Sequence, residues 1–134
     1  MEKKTTEFES LSPNLIVKDV NRSVDFYVNQ LGFVMLFSVP DKGTFNWAMV
    51  QRGNVTLMFQ TLESIKEDLP SLDIKQEGRA GTFYIKVKGL DALMEAVEGK
   101  VKMAVELRTT FYGAREFAVK DPDGYILMFA EDAK

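Results

Sequence analysis

At 134 residues, with 46% hydrophobic and 28% charged side chains, the chain has the size and composition of one globular domain that buries a core without staples. It has no cysteine, which excludes disulfides, thiolate catalysis and zinc–sulfur sites, and no histidine, which removes imidazole from any metal site. A formal charge of −3 with scattered lysines offers no basic field for nucleic acid, and no apolar run reaches membrane-spanning length.

The opening Met1–Ser10 is too acidic and polar for a signal peptide, so a cytoplasmic protein is expected. Residues 14–18 read as a short apolar strand. Asp19 to Ser23 then supply capping residues for a helix in which Val24, Tyr27, Val28 and Leu31 share a face, and Gly32 stops it. Three strand-like runs follow, Phe33–Val39, Phe45–Gln51 and Val55–Thr61, separated by turns at 40–43 and 52–54.

A polar connector from about Glu63 to Arg79 leads into the same grammar again. A strand at Thr82–Lys88 precedes a helix carrying Leu90, Leu93, Met94 and Val97 on one face, closed by Gly99. Strands are then predicted at Val101–Arg108, Arg115–Lys120 and Tyr125–Ala130, the last two joined by Asp121-Pro122-Asp123-Gly124. Val55–Phe59 matches Tyr125–Phe129, and Val17–Val20 matches Val87–Leu90. Chance likeness of short apolar strands is the competing explanation, but the repeated order of elements favours duplication. The expected fold is α+β, with a single domain over 1–134 made of βαβββ modules at about 11–62 and 80–131. Their curved mixed sheets surround a cleft, and the helices lie on the outer face.

Strand alternation separates two sets of side chains. Val55, Leu57 and Phe59, Phe83, Ile85 and Val87, and Tyr125, Leu127 and Phe129 are uniformly large and apolar and should pack on the helices. The opposite face carries Asn14 and Ile16, Thr56 and Met58, Thr82, Tyr84 and Lys86, Glu116 and Ala118, and Ile126 and Met128, a polar and apolar mixture suited to a ligand cleft. Ordinary core packing is the competing reading for each methionine.

The stretches Ser12–Val20, Ser23 to Phe26-Tyr27, Leu31-Gly32-Phe33 and Asp121–Gly124 together resemble the glyoxalase, bleomycin-resistance and extradiol-dioxygenase superfamily, also called vicinal oxygen chelate proteins, over residues 12–131. Within it, Pro13-Asn14-Leu15, Trp47 and Gln51-Arg52-Gly53 are most similar to bleomycin-resistance proteins, with Tyr112-Gly113 where those often carry Trp-Gly. The resemblance implies a homodimer whose sheets enclose ligand crevices and whose activity is sequestration. It also adds Trp47 and Met49 to the cleft, their strand parity being undecided from the residues alone, and it adds Tyr112.

Metal-dependent members of the family use His or Gln on the first strand of each half and Glu or His on the last. Here those positions offer Ser12 or Asn14, Thr82 or Tyr84, Met58 and Met128. A thioether is a poor ligand for zinc or iron, so no metal and no cofactor are expected. An oxygen-only Mg²⁺ site from Glu116, Asn14 and Thr56 would have a single carboxylate.

The leading expectation is therefore a binding protein for a small organic ligand, with antibiotics among the candidates, through Asn14, Trp47, Met49, Met58, Tyr84, Tyr112, Glu116 and Met128. The modest negative charge slightly favours cationic ligands such as bleomycin-like glycopeptides. The alternative is a metal-independent lyase or isomerase with Glu116 as general base beside Lys86 or Tyr84 as acid. Glu116 is read first as a solvated residue at the cleft rim. A third class, an assembly protein with a vestigial pocket, has no residue that selects it. Elemental analysis of purified protein is expected to find no stoichiometric transition metal. One Zn, Ni, Mn or Fe per chain that survives dialysis would overturn this expectation.

Overall fold

The computed structural model describes residues 5–71 and 81–132. In chain order the elements are β1 (Asn14–Val17), α1 (Val20–Asn29), β2 (Val34–Val39), β3 (Trp47–Arg52), β4 (Val55–Thr61) and α2 (Leu62–Asp68), followed by β5 (Thr82–Lys86), α3 (Leu90–Val97), β6 (Lys102–Thr109), β7 (Ala114–Lys120) and β8 (Ile126–Asp132). The strands make two four-stranded mixed sheets in the orders β1-β4-β3-β2 and β5-β8-β7-β6. In each sheet the first strand runs parallel to the last and the other pairs are antiparallel. This is the α+β class predicted, with the same topology in both halves.

Local chemistry accounts for most boundaries. Asp19 caps α1 by accepting the Arg22 amide at 3.1 Å, and the chain leaves that helix through Gly32 at φ +72°, a left-handed conformation that a side chain resists. Several predicted strands begin or end one or two residues away from the observed ones, where fraying makes the limits soft.

The larger departure is α2, where only a polar connector was expected. Its helix start is made by Thr61, whose hydroxyl accepts the Ser64 amide, while Gln60 donates to the Ser64 hydroxyl and to Asp68. Residues 72–80 of that connector lie outside the described residues.

Burial alternates along the strands as their patterns demand. Leu15 and Val17, Ala48 and Val50, Leu57 and Phe59, and Leu127 and Phe129 face inward, and with Tyr27, Leu31, Leu90, Val97 and Phe117 they form one core. Fully burying a side chain such as Leu57 contributes roughly 1.5–3 kcal/mol. Asn14, Met49, Met58, Tyr84 and Met128 lie on the other face and remain at least partly open.

The turn Asp121–Gly124 ties the second sheet to the β1–α1 corner. Asp121 Oδ1 accepts the amides of Asp123 and Tyr125, as expected of a turn aspartate, and its Oδ2 accepts the Tyr27 hydroxyl at 2.8 Å. Asp123 accepts the Lys18 amide, the Ser23 hydroxyl and the Arg22 guanidinium, and the Tyr125 hydroxyl donates to the Ile16 carbonyl. Burial, chiefly, raises the Asp121 carboxyl above its ordinary value and raises the Tyr27 phenol well above its own.

The two faces of β4 predict opposite outcomes for one substitution. Leu57→Lys should abolish cooperative folding by placing an unpaired charge in the core, whereas Met58→Lys should change the urea midpoint little. Tolerance of Leu57→Lys with collapse of Met58→Lys would mean that the strand faces are reversed.

Candidate ligand site

The ladder register turns the open face of each sheet into rows. In the first sheet Asn14, Met58 and Met49 stand side by side, with Phe37 beyond them on β2. The neighbouring row holds Ile16, Gln60, Trp47 and Val39. Trp47 and Met49 thus share the open face with Met58, which settles the parity that their own strand left undecided. Asn14 Nδ2 donates to Gln60 Oε1 at 2.8 Å, so the amide of Asn14 is fixed by a residue the sequence reading passed over. Alternation from Met58 is enough to find Gln60.

In the second sheet Tyr84, Met128 and Ala118 form the equivalent row, and Lys86, Ala130, Glu116 and Arg108 form the next. Glu116 is not the solvated rim residue expected: its exposure is 0%. Arg108 donates to Oε1 through Nε at 3.2 Å and Nη2 at 2.9 Å, a bidentate pair, while the Tyr84 and Tyr112 hydroxyls donate to Oε2 at 3.2 and 2.8 Å. A carboxylate tolerates burial when its lone pairs are filled in this way.

Burial alone would raise the Glu116 carboxyl. The hydrogen bonds from Tyr112, Arg108 and Tyr84 and the guanidinium charge outweigh it, and they hold the group below the usual carboxylate range. The Tyr84 phenol is raised, by burial first and then by its bond to Glu116.

Tyr112 projects from the β6–β7 turn, which is closed by Gly113 at φ +84° and by Thr110, whose hydroxyl accepts the Ala114 amide. Its ring is half exposed and meets the fully exposed Phe111 edge to face at 5.1 Å. Arg108 went unseen in the sequence because β6 carries two register shifts, at Met103/Val105 and Val105/Arg108, that break its alternation. Lys86, named beside Glu116 as an acid, is instead paired with Asp132 at 3.2 Å.

The structure therefore gathers the candidates into two groups. Asn14, Trp47, Met49 and Met58 share one sheet, and Tyr84, Glu116 and Met128 the other, with Tyr112 on its β6–β7 turn; no hydrogen bond, ion pair or ring contact joins the groups among the described residues. The donor set does not fit a transition-metal site. Met58 and Met128 offer thioethers, Asn14 is engaged with Gln60, and both oxygens of Glu116 are occupied by donors. Among the described residues no three of Asp and Glu converge on one point.

A family model for the Glyoxalase/Bleomycin resistance protein/Dioxygenase superfamily matches residues 10–129. The chain belongs to that superfamily. It is 29% identical over 129 residues to the bleomycin resistance proteins of Geobacillus stearothermophilus and Staphylococcus aureus, covering 91% of this chain and 96% of theirs. The bleomycin-binding protein of Streptomyces verticillus, solved with copper(II)-bleomycin, is 28% identical with a TM-score of 0.65, covering 97% of this chain and 99% of that one. TioX from Micromonospora sp. ML1 matches in fold with a TM-score of 0.79 at 19% identity, covering 93% and 99% of the two chains.

The lowered Glu116 carboxyl links stability to pH. Its contribution is present above the unfolded value and is lost as pH falls through the lower folded value. Glu116→Gln should cost ~1–3 kcal/mol at neutral pH by disrupting a buried network, and should flatten the acid limb of the stability curve. Parallel acid limbs for the two proteins, in urea midpoints measured from pH 6 down to 3, would count against this ionised network.

Proposed function

We propose that the protein is a metal-free binding protein that sequesters a small organic ligand on the open sheet faces, with Asn14, Trp47, Met49, Met58, Tyr84, Tyr112 and Met128 as contacts and the buried Glu116 as the residue that positions the two tyrosines. The observation that carries this reading is the saturation of Glu116. A carboxylate with four donor contacts and a lowered pKa is a weak base at neutral pH and a poor metal ligand, so Glu116 serves to position others. It holds the hydroxyls of Tyr84, which stands beside Met128, and of Tyr112, leaving the ring faces for planar or cationic groups. Met49 and Met58, paired across β3 and β4, supply adaptable apolar surface in the other sheet.

The relatives whose names record bleomycin resistance or binding extend this reading to bleomycin-like cationic glycopeptides as a ligand class. A homodimer belongs to the same proposal. Val34, Phe37 and Val39 are more than half exposed on the edge strand β2, as is Tyr112 beside the second group, and such apolar edges favour burial by another chain.

Native mass spectrometry of the purified protein is expected to show a dimer and any ligand it carries. Titration with bleomycin should quench or shift Trp47 fluorescence, the chain having a single tryptophan. Tyr112→Ala or Met58→Lys should weaken binding by roughly thirtyfold while the protein stays folded, the equivalent of about 2 kcal/mol at a contact hot spot. Unchanged affinity in both folded variants would remove the open faces as the binding surface.

A further inference from the structure

The duplicated frame is used differently at its two turn-to-helix junctions. Val17 aligns with Val87 and Val55 with Tyr125, and by the same offset Arg22, Phe26 and Tyr27 of α1 correspond to Ala92, Ala96 and Val97 of α3. At one junction the β7–β8 turn brings Asp121 and Asp123 onto α1, where Tyr27, Ser23 and Arg22 donate to them. At the other, the β3–β4 turn faces α3 with the opposite charge. Arg52 stands where Asp121 does, since Arg52 pairs with Val55 as Asp121 bonds to Tyr125. Val97 has no hydroxyl to meet it, and the Arg52 guanidinium donates to the Leu31 carbonyl at 2.7 Å.

The result is a cleft of about 480 Å³, within the range of small-molecule sites. Its apolar wall includes Leu31, Phe33, Leu93 and Phe129, and Ala92 and Ala96 leave the room that Arg22 and Phe26 fill at the sister junction. Its ionisable side chains are Arg52 and Lys88, with no acid in the lining, in a chain whose net charge is negative; Lys86 borders the cleft, but its side chain belongs to the open face. Lys86 is paired with Asp132, but Lys88 makes no ion pair among the described residues, and Glu131 already caps the start of α3 through the Gly89 and Leu90 amides. Arg52 and Lys88 thus line one cleft at the junction whose sister is bridged by carboxylates.

We propose that this cleft is a second binding site, separate from the open sheet faces, for a small organic carboxylate with an apolar tail. The carboxylate bridges Arg52 and Lys88, taking the role that the protein's own aspartates play at the other junction, and the tail lies along Leu93, Ala92 and Ala96. A bridging anion relieves the like-charge wall, and the small α3 residues admit a chain about as wide as the side chains they replace.

The test uses octanoate, with octanol as its uncharged match and inorganic phosphate as its tail-less one, followed by amide ¹H–¹⁵N NMR on the full chain. Octanoate should shift the amides of Gly53, Asn54, Gly89, Ala92 and Ala96 saturably, and octanol and phosphate should bind at least about tenfold more weakly. Lys88→Glu, at an exposed position, should reduce octanoate affinity by about tenfold or more, and Ala96→Phe should abolish binding by filling the cleft as Phe26 does at the sister site. Should Ala96→Phe fold poorly, Lys88→Glu decides alone. The proposal is overturned by octanol binding as well as octanoate, by shifts confined to the open-face residues, by no saturable shift up to octanoate's solubility limit, or by Lys88→Glu binding like wild type.

Discussion

The carboxylates of the Asp121–Gly124 turn are the contacts on which the arrangement of the two sheets depends. Short turns seldom join modules, because a turn exposes few apolar atoms. Here the turn adds polar bonds to the shared core: Asp121 gives one oxygen to its own backbone and the other to Tyr27, while Asp123 gathers the Lys18 amide, Ser23 and Arg22. With these bonds in place, α1, its sheet and the second sheet close on one core. A consequence is that the opposite face of each sheet keeps a row of mixed side chains that the core does not use.

On those open faces the two halves have diverged in chemistry while keeping their geometry. The first carries an amide pair and two methionines with Trp47; the second carries a buried carboxylate clamped by an arginine and two tyrosines. Glu116 looks like catalytic machinery by residue type and like scaffolding by environment. Its bonds lower its basicity and hold the hydroxyls of Tyr84 and Tyr112.

Much of this was legible in the residues. The order of the strands with α1 and α3, the inward sets on β4 and β8 and the turn role of Asp121 follow from periodicity and from Gly, Pro and Asp placement. The failures have physical causes. The polar stretch Leu62–Asp68 has no repeating apolar face, and its helix is held by Thr61 and Gln60 from outside the pattern. Arg108 was hidden by bulges, and the burial of Glu116 depends on partners from β5, β6 and the β6–β7 turn, which no local window brings together.

The central claim is that the sequestered ligand meets the open faces and not the helix side of the sheets. The most direct measurement is ¹³C-methyl methionine NMR during titration with bleomycin and a set of aromatic cations. Met49, Met58 and Met128 lie on the open faces, while Met94 and Met103 pack against the core, so one spectrum samples both sides. The account predicts shifts at Met49, Met58 and Met128 with Met94 and Met103 unmoved. Shifts at Met94 and Met103 with the other three silent would contradict it.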